Sequence, residues 1–312
     1  MNKYILASLI TIVSLILLTT PQSITGNTNS NELEGKHYKL RYSSTTTKEQ
    51  AQELLKFMDE QVFPNYSFLL GMKEEDLSEK ALLVLHANMK EYIQAGAPKG
   101  SGAYYSPTEK KLVGYYDPID MKPIFAHEGM HQFTDLAIPK FNQRVPMWYI
   151  EGMADCIGNS ELRGKTLYIC AINSTIAQKY RLPTLKKAFE SGKYFKLNEL
   201  MRLDRGTFMK NGGLCYAESW ALCHFLLNAP RKEIGSDRSL KGKYKKVIVE
   251  FHNLMAKGDT KLDDAIKKAF VYNGKPIDIN ELEKEWKEYV LSLIQDKEDK
   301  EKKDDKKDAN VK

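Results

Sequence analysis

Two histidines four residues apart around a glutamate, in His127-Glu128-Gly129-Met130-His131, constrain this chain more than any other feature. On an α-helix, residues i and i+4 project from one face about one turn apart, so two imidazoles can converge on a single tetrahedral metal ion. Glu128 then lies beside them, placed to hold a water and take its proton. The flanks suit a helix: Asp120 can cap it, Pro123 fits its first turn, and Ile124, Phe125 and Met130 supply apolar packing. A reactive metal site needs a third protein ligand and an open fourth position. Twenty residues after His131 stands Glu151, within Trp148-Tyr149-Ile150-Glu151-Gly152-Met153-Ala154-Asp155, a second helical segment with two carboxylates four apart. Glu151 can reach the metal, and Asp155, one turn on, can accept the far ring N–H of a ligand histidine. Gly152 and Ala154 are small enough to let these two helices approach closely. Trp148, Tyr149, Ile150 and Met153 make this a poor surface helix, so its acids are not simply solvated.

The rest of the chain reads as an α+β protein. Residues 36–43 alternate like a strand, Lys48 to about Leu70 repeats like an amphipathic helix, and Ala81–His86 reads as a buried strand. A short helix from Asn88 to Gln94 ends at a Gly/Pro/Ser-rich break. Ala103–Tyr105 and Lys111–Tyr116, separated by SPTEK, read as a hairpin. After Asp117-Pro118 the pattern turns helical, with helices expected near 121–135, 146–159, 166–178, 183–190, 197–203, 214–228, 240–256, 261–269 and 279–295. The expected organisation is a signal peptide over 1–26, a mixed α/β sheet subdomain over 27–120, a helical subdomain carrying the metal site over 121–295, and a disordered charged tail over 296–312.

That first segment is expected because residues 4–18 are uncharged and apolar, follow Lys3, and give way to a polar, turn-rich stretch. Export follows, with an uncleaved N-terminal membrane anchor as the alternative; otherwise no stable membrane partner is implied. The tail is expected to be disordered because its seven acidic and seven basic residues leave almost nothing to bury. Net charge is +6 from 47 basic and 41 acidic residues, scattered evenly, which argues against nucleic acid as a partner. An exported chain permits disulfides among Cys156, Cys170, Cys215 and Cys223. Cys215 and Cys223 on one helix would lie about 12 Å apart, out of reach of each other. A bridge is therefore expected from the 156/170 region to the 215/223 region, with four buried free thiols as the alternative.

HEGMH followed by WYIEGMADC resembles the gluzincin clan of zinc metallopeptidases, in which HExxH and a downstream Glu-x-x-x-Asp supply ligands, base and supporting carboxylate. A third block, Leu214-Cys215-Tyr216-Ala217-Glu218-Ser219-Trp220-Ala221-Leu222, is similar to the helix that carries a transition-state tyrosine in gluzincin aminopeptidases. The order of these blocks resembles an uncharacterised family of exported bacterial peptidase-like domains over about residues 36–295. The resemblance implies a zincin-like fold, Zn2+ held by His127, His131 and Glu151, Glu128 as base, Asp155 orienting His127, and Tyr216 as donor to the oxyanion, with His224 as the alternative donor. No GxMEN exopeptidase motif precedes the active helix, so an endopeptidase acting on a peptide or protein substrate is implied. Leu112-Val113-Gly114-Tyr115-Tyr116 resembles the edge strand along which gluzincins pair an extended substrate; a plain hairpin is the alternative. His37, His86 and His252 lack such context and read as surface or packing residues. The rival reading is a catalytically silent, zinc-stabilised binding scaffold of the cell envelope, and a weaker one is an envelope anchor protein defined by its export segment and charged tail.

Overall fold

A computed structural model describes residues 30–70, 75, 77, 79–138, 140–163, 166–168, 170–172, 174, 176–228 and 243–309. The expected signal peptide over 1–26 lies outside them. The fold is the expected α+β one: a five-stranded sheet followed by a mainly helical body. Among the described residues no helix is long and apolar enough to cross a membrane.

Two compact units make up the chain, one formed by the described residues up to Ile138, the other by those from Lys140 on, apart from 166–167. In the first, β1 (Ser30–Glu34), β2 (Tyr38–Ser43), β3 (Ala81–His86), β4 (Ala103–Ser106) and β5 (Lys111–Tyr115) form a mixed sheet in the order β1-β2-β3-β5-β4. β2 runs parallel to β3, and β3 parallel to β5, while β1 and β4 are antiparallel edges. Alternation explains the faces: Tyr38, Leu40 and Tyr42 of β2 are buried, whereas Lys39 and Arg41 are exposed. β1 carries no strand signal, because SNELE has no apolar alternation; a charged, polar strand of this kind suits a sheet edge.

The first helical run begins at Thr47, whose hydroxyl accepts the Gln50 N–H while the Gln50 side chain accepts the Thr47 N–H, a capping box. It comprises α1 (Lys48–Phe57), one wide π turn (Met58–Val62) and α2 (Phe63–Leu70). The wide turn has a local cause. Pro64 lacks the N–H that would close on the Glu60 carbonyl, and its ring crowds that carbonyl, so the Phe63 N–H bonds Met58 O instead. The turn directs Asp59 onto the β1–β2 connection, where it accepts the Lys36 and His37 N–H groups and pairs with His37 Nδ1 at 2.9 Å. His37 also stacks on Phe63, so it is a packing residue.

After α3 (Met89–Gln94) and the β4–β5 hairpin comes α4 (Met121–Ala137), which packs on the sheet and belongs to this unit. The compact unit that holds the sheet therefore extends through α4. Asp120 makes no side-chain cap; Asp117 instead accepts the Ile119 and Asp120 N–H groups in an Asx turn leading into the helix.

From Lys140 on come α5 (Phe141–Arg144), α6 (Met147–Gly158), the hairpin β6 (Glu161–Arg163) and β7 (Thr166–Tyr168), a π turn (Ala177–Arg181) running into α7 (Leu182–Ser191), α8 (Leu197–Leu200), α9 (Arg205–Lys210), α10 (Gly212–Asn228), α11 (Lys245–Ala256), α12 (Leu262–Ala269), the hairpin β8 (Val271–Tyr272) and β9 (Lys275–Pro276), and α13 (Ile279–Ala309). The helix expected over 166–178 is corrected at its start: Thr166, Leu167 and Tyr168 form a strand, favoured by the β-branched Thr166 and aromatic Tyr168, and helical structure begins only at 176. The hairpin turns the chain back onto the end of α6, where the Cys170 N–H bonds Cys156 O and the two cysteines form a disulfide. This corrects the expected bridge to the 215/223 region; Cys215 and Cys223 are free, buried thiols on α10. The tail expected to be disordered is helical as far as Ala309. Charged and polar side chains support that extension: Gln295 donates to Asp299 one turn on, and Glu298 pairs with Lys186 of α7 at 2.6 Å.

Candidate metal centre

The site is built outward from α4, which is buried nearly all the way round. Its first half is anchored by the Tyr66 hydroxyl, which donates to Ala126 O at 2.7 Å, and its second half by Gln132 Nε2, which donates to Leu82 O and Lys110 O beside the sheet. Gly129 is required at its position: a Cβ there would meet Tyr66 Oη at 2.5 Å and Met58 Cε at 2.8 Å. The middle residue of the HEGMH motif is thus set by the first helical run lying against it.

His127, His131 and Glu151 are all buried, and one donor atom from each lies within 4.8 Å of the others. The two imidazole ring centroids stand 5.1 Å apart, with the planes at 73°. Around a tetrahedral ion with bonds of about 2.1 Å, donors sit about 3.4 Å apart, a spacing of the same order. Two imidazoles and one carboxylate in an interior from which water is largely excluded form a donor set that fits a divalent cation, and a buried group of this kind could bind a metal ion.

Glu128 points at the sheet. Its Oε2 accepts the backbone N–H of Tyr105 on β4 at 3.1 Å, within the same unit. Tyr105 is itself held by its hydroxyl, which donates to Asp135 Oδ2 at 2.9 Å; burial raises the pKa of both side chains. The edge strand is therefore β4 (Ala103–Ser106). This corrects the edge expected at 112–116: β5 is internal, paired with β3 on one side and β4 on the other. The expectation fails because the hairpin alone does not say which of its strands meets β3.

Glu151 and Asp155 lie one turn apart on α6. Gly152 faces α10: a Cβ there would meet the Ser219 carbonyl oxygen at 2.5 Å and Cys223 Sγ at 2.7 Å. The expectation that Gly152 serves the approach of the HEGMH helix is corrected: the helix that packs against it is α10. Asp155 pairs with Arg181, Nη2 to Oδ2 at 2.7 Å, both side chains buried. Sequence reasoning does not find Arg181. A lone arginine in AQKYRLP carries no periodic signal, and its burial depends on the wide turn that Pro183 imposes, as Pro64 does in the first unit.

Tyr216 sits in a cluster with Met147, Phe208 and Cys215, against Phe195, Leu203 and Met209, and the Arg181 guanidinium carbon lies 5.5 Å from its ring centroid. The alternative donor, His224, pairs through Nδ1 with the Tyr289 hydroxyl at 2.9 Å, and burial pushes its pKa down to about 4, so it is a neutral imidazole. His252 is likewise buried, bonded to the Tyr149 hydroxyl, with its pKa pushed down to about 4. His86, on β3, has its ring centroid 6.1 Å from that of Tyr92.

A family described as "Protein of unknown function (DUF1570)" matches residues 123–242 of this chain. The matched stretch includes His127, Glu128, His131, Glu151, Asp155, Arg181 and Tyr216. No curated protein matches it.

Proposed function

We propose that this chain is an exported zinc-dependent metallopeptidase that cuts internal peptide bonds. The observation that carries the reading is the buried group of His127, His131 and Glu151, with donor atoms within 4.8 Å of one another. Two imidazoles and a carboxylate leave a fourth position, the pattern of a catalytic zinc and not of a closed structural one. The order of HEGMH, WYIEGMADC and the Tyr216 block supports a place in the gluzincin clan. When bound, zinc would supply Lewis-acid polarisation of the scissile carbonyl and lower the pKa of a water toward about 7.

The protein side of the chemistry is carried by a few residues. Glu128 would take the proton of the attacking water and hand it to the leaving amine. Its contact with the Tyr105 N–H suits it to work beside a peptide paired in extended form along β4, whose outer edge has no strand neighbour among the described residues. Tyr216 would donate its hydroxyl proton in a hydrogen bond to the developing oxyanion, and Asp155 would orient His127. Export is supported by the apolar run at 4–18 and by the Cys156–Cys170 disulfide, which suits an oxidising compartment. A silent scaffold would have no use for a base, and the placement of Glu128 at the edge strand favours the enzyme.

The test is to measure zinc in the purified protein and to incubate it with a diverse peptide mixture, with and without chelator. The expected result is roughly one zinc per chain and internal cleavage that chelator abolishes and zinc restores, both lost on replacing His127, His131 or Glu151 with Ala. Absence of bound zinc after supplementation overturns the reading; zinc without cleavage leaves the scaffold in its place.

A further inference from the structure

Arg181 is a buried cation with a specific geometry. Its Nη2 lies 2.7 Å from Asp155 Oδ2, its Nε has no hydrogen-bond partner among the described residues, and its guanidinium carbon lies 5.5 Å from the Tyr216 ring centroid. It reaches this position from the last residue of a π turn, where the Leu182 N–H bonds Ala177 O because Pro183 interrupts the α ladder. Burying a guanidinium is costly unless it is paired, and an arginine cannot shed its proton to escape the cost. The pairing it finds joins two helices: α6, which presents Glu151 one turn before Asp155, and α10, which presents Tyr216.

Resting on the metal-centre reading, we propose that Arg181 is a positioning residue for that centre. Its Nη2 holds one oxygen of the Asp155 carboxylate, and its guanidinium carbon stands over the Tyr216 ring. The carboxylate thereby keeps one rotamer, Glu151 is presented from a helix whose last turns cannot rotate, and the tyrosine is held at the angle its hydroxyl needs. A planar fork can bind a carboxylate and lie against an aromatic face at once; a lysine ammonium cannot reproduce that combination. Arg181 touches no reacting atom and acts through Asp155 and Tyr216.

The experiment is a zinc-affinity titration against a chromophoric chelator on the full chain, for wild type, R181K, R181M, D155N and R181M/D155N, with thermal melts of each. R181M is expected to weaken zinc by about 10–100-fold, the usual cost of losing a residue that orients ligands. R181K, which keeps charge and bulk, is expected to melt near wild type yet still bind zinc at least about 10-fold more weakly. If Arg181 works through Asp155, the double variant is no weaker than D155N alone, because coupled residues do not add. Should R181M fail to fold, R181K decides. Wild-type affinity in a folded R181K or R181M, or independent addition in the double variant, overturns the proposal. Failure of the metal-centre reading is distinguishable, since it appears as no zinc bound by the wild type in the same titration.

Discussion

Helices α4 and α10 are each 17 residues long and buried almost all round, and each carries ionisable groups into the interior. In α4, His127, Glu128 and His131 fall within one turn and a half, and two of them join Glu151 in a group that one divalent cation could satisfy. In α10 the groups are dealt with one at a time. Glu218 accepts the Phe195 N–H at 2.9 Å, and burial pushes its pKa up to about 8, so it keeps its proton at neutral pH. His224 is driven the other way, to about 4, and stays neutral beside Tyr289. A charge left alone in such surroundings would cost several kcal/mol or more, and the two helices avoid that cost by opposite means. The difference teaches that burial of acids and bases does not mark a site by itself; convergence of their donor atoms does.

The largest effect should come from α4. Glu128→Gln keeps the shape and the acceptor for the Tyr105 N–H but cannot take a proton from water, so hydrolysis should fall by about 10²–10⁴-fold with zinc content unchanged. Undiminished turnover would remove Glu128 as the base and leave α4 a metal-holding helix only. Tyr216→Phe probes whether α10 takes part in the chemistry at all. It deletes the hydroxyl and keeps the ring in its cluster with Phe208 and Met147, so kcat should fall by about 10²–10³-fold while KM and zinc content hold. A kcat within a few-fold of wild type would return the whole of α10 to packing and widen the contrast.

The same contrast explains what is legible in the sequence. His127 and His131 can be read because local spacing on a helix makes their donors converge, Glu151 because it is an acid in an otherwise apolar helical segment, and the strand-then-helix order from periodicity. Arg181 cannot, since its burial is decided by Pro183 two residues later and by Asp155 far back in the chain. The Cys156–Cys170 bond escapes because it depends on a short hairpin whose second strand reads as helix. Which strand forms the sheet edge depends on the parallel pairing of β3 with β5, a contact that no local pattern encodes.

Acid should then expose how α10 handles its bases. His224 has an ordinary value near 6.5 and a folded value of about 4, so the unfolded chain binds the extra proton first. Its contribution is fully present above about pH 6.5 and is lost as pH falls toward 4, up to about 3 kcal/mol. His252 on α11 acts in the same direction over the same window. His224→Gln, which can still bond the Tyr289 hydroxyl, should flatten the loss, read as melting temperature between pH 7 and pH 4. A slope as steep as wild type would mean that His224 is already charged in the fold.

The smallest effect belongs to Glu218, and its sign is reversed. Here the folded value, about 8, lies above the ordinary 4.5, so the folded chain holds the proton that the unfolded chain releases. The contribution is fully present below about pH 4.5 and is lost as pH rises toward 8. Gln at 218 copies the protonated acid, keeps an oxygen for the Phe195 N–H, and cannot ionise. Glu218→Gln should therefore match wild type near pH 5 and exceed it near pH 8 by about 1–2 kcal/mol, or roughly 2–8 °C in Tm. That is well under the linkage ceiling of about 5 kcal/mol, which is about 1.4 kcal/mol per pH unit over the window from about 4.5 to 8. If the two melting profiles run parallel from pH 5 to pH 8, Glu218 is ionised in the native interior. Helix α10 would then hold a buried charge, and its contrast with α4 would rest on His224 alone.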